Sequence, residues 1–234
     1  MIHIKNITKS FGSFFALRGI DWEIHPGEFW IVVGPNGAGK TTLLKIIATL
    51  STPSDGSISF GDSGLKDKIA TRRKIGFIGH QSFLYPNLTA EENLKFYARM
   101  YRLANADDRI HHQLARVDLW DRKDDLVRNF SRGMQQRLTI ARALLSGPEI
   151  VLLDEPFSGL DQQGIDLFNN LLKSLISPHR IIIMITHNLA LGWELATHYA
   201  MMSRGKIVEK QKCKAISLEE FKNRYRELTA EGEA

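Results

Sequence analysis

The sequence predicts an α/β domain whose core is a mainly parallel sheet, with an antiparallel β part and an inserted helical part. Three observations carry that prediction. Four short apolar runs, Phe29–Val33, Ile75–Ile78, Ile150–Leu153 and Ile181–Ile185, are too continuous to be half-exposed, and helical patterns separate several of them. Strands of that kind lie in parallel sheets covered on both faces. The first 25 residues alternate instead, through Ile2, Ile4 and Ile7, then Phe15, Leu17 and Ile20, as antiparallel strands do. The segment from Thr89 to about Arg128 carries only the helical period.

Taken in order, the first central run, Phe29–Val33, leads into Gly34-x-x-x-x-Gly39-Lys40-Thr41 and then an apolar helix from Leu43 to Leu50. The second, Ile75–Ile78, leads into Gly79, His80 and Gln81. Thr89-Ala-Glu-Glu92 is a capping box, and opens an amphipathic helix through Phe96, Met100 and Leu103. More helical pattern runs through Ile110, Leu114 and Val117. Ser131 would cap a further helix beginning near Met134. The third and fourth runs end at Asp154-Glu155 and at Thr186-His187. Arg204-Gly205 before Ile207-Val208 reads as a hairpin turn, and Ser217-Leu-Glu-Glu220 caps a last helix. The expected organisation is one domain over 1–234. Residues 1–88 and 129–210 form the core with its antiparallel strands, 89–128 a helical subdomain and 211–234 a C-terminal helix.

Composition narrows the setting. A 234-residue chain that is 43% hydrophobic can bury a sizeable core. The net charge of +5 suits nucleic acid, an anionic surface or a polyanionic ligand, and equally a solvated surface with a modest Lys/Arg excess. With Cys213 alone, no intrachain disulfide forms, which favours a reducing compartment. The start, Met1-Ile-His-Ile-Lys5, has no apolar signal core, and the aliphatic run Ile181–Ile185 is far short of the about 20 residues that span a bilayer. The chain is expected to be soluble by itself, with any membrane role supplied by partners.

Two segments read as anion sites. The loop Gly34-Pro35-Asn36-Gly37-Ala38-Gly39-Lys40-Thr41 sits between a buried strand and a helix, the context a phosphate loop requires. Its glycines admit phosphate close to the backbone. Lys40 would reach the β- and γ-phosphates, the Thr41 hydroxyl would bind Mg²⁺, and Thr42 could reach the α-phosphate. The second is Ser131-Arg132-Gly133-Met134-Gln135, another helix start; it is also readable as an ordinary N-cap. One nucleotide needs one cradle, so the second asks for a use.

Other residues add chemistry at the strand ends. Asp154 would hold Mg²⁺ and Glu155 would orient or deprotonate the attacking water; a polar strand end capping its loop is the plain alternative. Gln81 can bind Mg²⁺ or water, or be a surface glutamine. His187 can hydrogen-bond a γ-phosphate, or cap the helix after it. Phe11 can stack on a base, or belong to the core.

As an ordered set these motifs resemble the ABC-transporter ATPase family over residues 1 to about 210. The Walker A loop lies at 34–42, then come Gln81, the signature at 131–135, Walker B at 150–155, Ser158-Gly159-Leu160-Asp161 and His187. The resemblance implies a P-loop ATPase that uses ATP and Mg²⁺, with Thr41, Gln81 and Asp154 at the metal and Lys40, Glu155 and His187 catalytic. It implies two chains closing head to tail, so that Ser131 and Gly133 of one reach the nucleotide held by the other. Phe11 then stacks on adenine, and Asp161 lies in the loop crossing the dimer. Transmembrane subunits are the further partners. The chain itself is placed peripherally on the cytoplasmic face of the membrane and away from nucleic acid.

The signature departs from the commonest pattern of that family, Ser-Gly-Gly-Gln. Arg132 replaces its first glycine and Met134 its glutamine. Arg132 either adds charge beside a γ-phosphate or points to solvent. Together with Gly79-His80-Gln81-Ser-Phe-Leu-Tyr85 and Thr89-Ala-Glu-Glu-Asn-Leu94, the variant is similar to the ATPase subunit of cytochrome c biogenesis, often called a haem exporter. No Cys-x-x-Cys-His is present, and His80, His111 and His112 read as surface residues. An exporter ATPase for a drug, polysaccharide or lipid is the alternative. Non-transport ABC ATPases fit less well: Lys40 to Ser131 leaves no room for a long coiled coil, and there is only one set of motifs. Phe83, Leu84, Tyr85 and Leu88 are apolar candidates for docking membrane subunits, or for subdomain core.

Overall fold

Alternation within β3 (Phe29–Val33) explains why the central strands read as unbroken apolar runs. Phe29, Ile31 and Val33 enter one hydrophobic cluster, while Trp30 and Val32 enter another on the opposite face. The same split holds in β6 (Ile150–Asp154) and β7 (Ile181–Ile185), where Val151, Leu153, Ile182 and Met184 face one way and Leu152, Ile181, Ile183 and Ile185 the other. The structure is a computed structural model and describes residues 1–61, 68–79 and 81–230. His80 and the end of the expected C-terminal helix lie outside the described residues.

The larger sheet has six strands in the order β5-β6-β7-β3-β8-β9, with β5 at Ile75–Ile78, β8 at His198–Ser203 and β9 at Lys206–Lys212. All its pairs are parallel except β8–β9, which is antiparallel across the turn at Arg204 and Gly205, both at positive φ. The fold is thus α/β with a mostly parallel core sheet. Because β6, β7 and β3 are neighbours, the loops leaving their C-terminal ends open side by side, where open α/β sheets bind ligands.

A second, three-stranded antiparallel sheet has the order β2-β1-β4, with β1 at Ile2–Phe11, β2 at Phe14–Ile24 and β4 at Asp55–Phe60. Its buried residues Ile2, Ile4, Ile7, Leu17 and Ile20 pack with α1 (Lys40–Ile47) against one face of the larger sheet. This helix is shorter than the sequence suggests. Thr49 adopts φ 59°, so Leu50 falls outside the helix and is half-exposed.

Helices cover the other face. The short α2 (Lys68–Arg73) precedes β5. The capping box of α3 (Ala90–Met100) forms: Glu92 N–H donates to Thr89 Oγ1 at 3.1 Å, and Thr89 N–H to Glu92 Oε2 at 2.8 Å. Its buried face is Ala90, Leu94, Tyr97 and Ala98, spaced at one helical stripe. Phe96 and Met100, expected on that face, lie off the stripe and are 40% and 49% exposed. Behind α3 come α4 (Ala106–Arg116), with Ile110 and Leu114 buried, and α5 (Arg132–Leu144). The chain continues through α6 (Gln162–Leu175), α7 (Leu189–Leu195) and α8 (Leu218–Ala230). Trp193 of α7 stacks on Phe221 of α8 with ring centroids 4.5 Å apart. Among the described residues, no helix is long and apolar enough to cross a membrane.

Candidate functional site

The loop after β3 is held open by its glycines. Gly39 takes φ 98°, and a Cβ there would stand 2.4 Å from the Ala16 carbonyl oxygen, so only glycine fits. A Cβ on Gly37 would meet nothing within 4 Å; that face of the loop is free. Gly39 caps α1 without a side chain, and the first helical bond runs from Leu43 N–H to Gly39 O at 2.9 Å. Helix geometry therefore leaves the N–H groups of Lys40, Thr41 and Thr42 without an intrahelical acceptor, the arrangement that binds phosphate. Lys40 is buried and its Nζ donates to Gly34 O at 2.7 Å and Pro35 O at 2.9 Å. Burial pushes its pKa down, while the charges of Glu155 and Asp154 oppose the shift.

Across from the loop stand the two carboxylates at the end of β6. Asp154 is buried, and Thr41 Oγ1 donates to its Oδ1 at 3.2 Å. Glu155 takes φ 53°, unusual for a non-glycine residue, and its N–H donates to Ile185 O at 3.0 Å on β7. Its Oε2 accepts from the His187 N–H at 3.3 Å. His187 Nε2 lies 3.4 Å from Oε1, within ion-pair distance, yet Oε1 is buried with no hydrogen-bond partner among the described residues. Burial raises the pKa of Glu155, against the lowering influence of His187. A buried carboxylate oxygen without a hydrogen-bond partner is an uncommon feature in a folded chain.

These groups line a cavity of about 270 Å³ bounded by residues 36–42, Asp154, Glu155 and His187, with Phe11 and Phe14 on the far wall. Phe11 and Phe14 pair across the β1–β2 turn and are more than half exposed, so neither belongs to the core. Phe14 and Ala16 also line the cavity, and in the sequence only the doublet Phe14-Phe15 beside a tight turn signals them.

A second cavity, of about 300 Å³, meets the same Asp154 and Glu155 from the other side. Arg132, Gln135, Gln136, Ser158 and Gly159 line it. The signature helix starts at Arg132 rather than near Met134. Ser131 Oγ accepts from Met134 N–H at 3.3 Å, and Gln135 Nε2 donates to Phe130 O at 3.1 Å. A Cβ on Gly133 would meet only Ser131 Oγ, at 4.0 Å. Ser131 and Gly133 line neither cavity. Gln81 is exposed in the loop after β5 and also lines neither. Asp161 caps α6, accepting from Gly164 N–H at 2.8 Å. Among the described residues, no three histidine, cysteine or carboxylate side chains cluster as a metal cage.

The sequence profile of the family described as ABC transporter matches residues 17–158. The L-cystine transport system ATP-binding protein TcyN of Escherichia coli K12 is 34% identical over 97% of this chain and 96% of its own. The cytochrome c biogenesis ATP-binding export protein CcmA of Vibrio vulnificus YJ016 is 35% identical over 80% of this chain and 92% of its own. Among solved structures, the dimeric post-hydrolysis state of the ATP-binding cassette MJ0796 bound to ADP and Pi superposes with a TM-score of 0.82. It is 30% identical and covers 91% of this chain and 99% of its own. This chain belongs to the ABC transporter family, as an ATP-binding subunit that hydrolyses ATP.

Proposed function

We propose that two copies of this chain share their nucleotides head to tail and use ATP hydrolysis to move membrane partners. One observation carries the shared site: Ser131 and Gly133 form an open helix start that lines neither cavity of their own chain. A helix start apart from its own phosphate loop suits the phosphate of a neighbour. The MJ0796 cassette, described as dimeric, supports a dimer of this chain.

Within each site, the N–H groups at the start of α1 and the Lys40 ammonium hold the β- and γ-phosphates, and Phe11 and Phe14 offer rings to the base. Thr41 and Asp154, hydrogen-bonded at 3.2 Å, would offer Mg²⁺ a hydroxyl and a carboxylate, the hard oxygen donors that suit it. Bound there, Mg²⁺ would neutralise charge on the phosphates. Glu155 accepts a proton from water as the water oxygen bonds to the γ-phosphorus and the bond to the bridging oxygen of ADP breaks. His187 orients Glu155 and reaches toward the γ-phosphate. Gln81, exposed here, would join only in the closed dimer.

The membrane partners would dock on the apolar rim near Phe83, Leu84 and Tyr85, and the chain would sit peripherally on the cytoplasmic face. For the cargo, we propose haem handling for cytochrome c maturation. The variant Ser131-Arg132-Gly133-Met134 and the likeness to the Vibrio protein support it, while the longer alignment to a cystine-system protein supports a different substrate. Membrane proteins and a haem chaperone co-purifying with the complex would favour haem, and a cystine-stimulated ATPase would overturn it.

Complementation tests the shared site. Lys40→Ala and Ser131→Arg should each be inactive alone. Mixed, they give heterodimers in which one site has both an intact phosphate loop and an intact signature. Recovery of ATPase activity on mixing is expected; no recovery would mean that each chain uses its own signature.

A further inference from the structure

Glu155 is held in a backbone conformation that its own sequence disfavours. Its φ of 53° is left-handed, and it precedes Pro156, whose ring drives the residue before it toward extended backbone. A strained residue of this kind persists only where its surroundings fix it. Two backbone bonds contribute: Glu155 N–H donates to Ile185 O at 3.0 Å, and Ser158 N–H donates to Glu155 O at 3.1 Å. A further restraint comes from a side chain. Gln136 Nε2 donates to the Pro156 carbonyl oxygen at 3.1 Å.

Gln136 reaches that carbonyl from a fixed base. It is half-buried on α5, and the next residue ties the helix elsewhere: Arg137 Nη1 donates to Val117 O at 3.1 Å and to Asp118 O at 3.2 Å, at the end of α4. Leu138, Ile140 and Ala141 beyond it are fully buried. The helix is therefore anchored independently of the 155–158 turn, and packed interiors yield little. Gln136 also lines the second cavity, beside Glu155 itself. That space of about 300 Å³ lies against the carboxylate, so a turn released from Gln136 has room to relax into it.

We propose that Gln136 is a positioning residue for Glu155. By holding the Pro156 carbonyl it keeps the carboxylate where it accepts a proton from the attacking water. The proposal rests on the base role given to Glu155 above. Gln136 touches no reacting atom; it acts through the carbonyl of the strained turn. Its effect therefore falls on the chemical step. The phosphate loop lies in the first cavity, which Gln136 does not line, and keeps its hold on ATP without it.

The test is a cycle of Gln136 and Glu155 variants of the full chain, with turnover read at saturating ATP and, for slow variants, in single-turnover experiments. Gln136→Met is apolar and donates nothing; Gln136→Asn keeps the amide but falls one methylene short of the carbonyl. Each should lower kcat about fivefold to tenfold, the scale of one lost hydrogen bond, with KM for ATP little changed. The two variants share only the lost bond, and either one suffices if the other does not fold. In the Glu155→Gln background, Gln136→Met should lower turnover no further, because no base is left to position. A merely structural role would lower turnover in both backgrounds alike. Undiminished kcat in the Gln136 variants, or an equal fall in the Glu155→Gln background, overturns the positioning role and leaves Glu155 as the base. Undiminished turnover in Glu155→Gln alone overturns both.

Discussion

His187 stands against both oxygens of the Glu155 carboxylate: its backbone N–H donates to Oε2 at 3.3 Å, and its Nε2 lies 3.4 Å from Oε1, within ion-pair distance but without a hydrogen bond. The two residues come from the ends of adjacent strands, β6 and β7, and Glu155 N–H donates to Ile185 O on the same neighbour. The sheet thus fixes the carboxylate before any ligand arrives, and preorganisation of that kind lowers what must be rearranged during reaction.

If Glu155 takes the proton of the attacking water, its amide cannot replace it. Glu155→Gln keeps the shape, the phosphate loop and the Asp154–Thr41 contact, so ATP affinity should change little. Turnover should fall by about 10²–10⁴, the range that general-base catalysis supplies. With hydrolysis blocked, ATP-bound dimers should accumulate in size-exclusion chromatography with light scattering. A variant with unreduced turnover would remove Glu155 from the base role.

The pKa of Glu155 gives a pH prediction. Burial raises it above the ordinary 4.5, and the His187 charge opposes the rise. The base works only when ionised, so the acid limb of kcat against pH should fall above the ordinary glutamate range. His187→Ala removes the opposing charge and should move that limb to still higher pH, though the backbone N–H remains. Stability carries its own sign. A carboxyl with a raised folded pKa contributes stability that is present below its unfolded value and lost as pH rises through its folded value. Glu155→Gln should therefore gain stability over wild type as pH rises above that window, and show no gain below it, in urea unfolding at a series of pH values.

The central sheet and the phosphate loop were legible because both are written locally. Strands buried on two faces must be continuously apolar, and a loop that cups phosphate must carry glycine where side chains would clash. β4 was not legible: in Asp55–Phe60 only Ile58 is buried, so the segment has no periodic signal and pairs with β1 for tertiary reasons. Phe96 and Met100 read as inward from the sequence because helical spacing alone does not say which stripe faces the core. Tyr97, which is amphipathic, took the inward place and holds Phe83 by its hydroxyl. The buried Arg142 gave no sign at all, since an arginine in a helix that also carries Arg132 and Arg137 reads as solvated until its neighbours are known. The separation of Ser131 and Gly133 from their own phosphate loop likewise depends on contacts between distant segments.

The two loop glycines should separate stability from binding. Gly39→Ala meets a carbonyl at 2.4 Å while holding φ 98°, and should destabilise the chain by about 2 kcal/mol or more in urea unfolding. Gly37→Ala meets no neighbour and carries only the conformational cost of its φ of 78°, about 1 kcal/mol. It places a methyl group on the free face of the loop, so its larger effect should be on nucleotide affinity, read by titration with a fluorescent ATP analogue. Equal affinity for Gly37→Ala and wild type would show that phosphate does not approach that face.

Ser131 and Thr89 provide a matched pair of helix caps. Each hydroxyl accepts from a backbone N–H in the first turn, at 3.3 Å for Ser131 and 3.1 Å for Thr89. Thr89 is in addition half of a reciprocal capping box, so Thr89→Ala should cost at least as much stability as Ser131→Ala, about 1 kcal/mol in each case. Turnover should separate them in the opposite direction. Thr89 lines neither cavity, and its loss should leave ATPase activity near that of wild type at a temperature where both variants are folded. The Ser131 hydroxyl would face the partner's γ-phosphate, so Ser131→Ala should lose activity well beyond what its stability explains. Its loss should appear at protein concentrations where dimers form. If the two variants lose stability and activity in the same proportion, Ser131 is a helix cap and nothing more, and the shared nucleotide would need other residues.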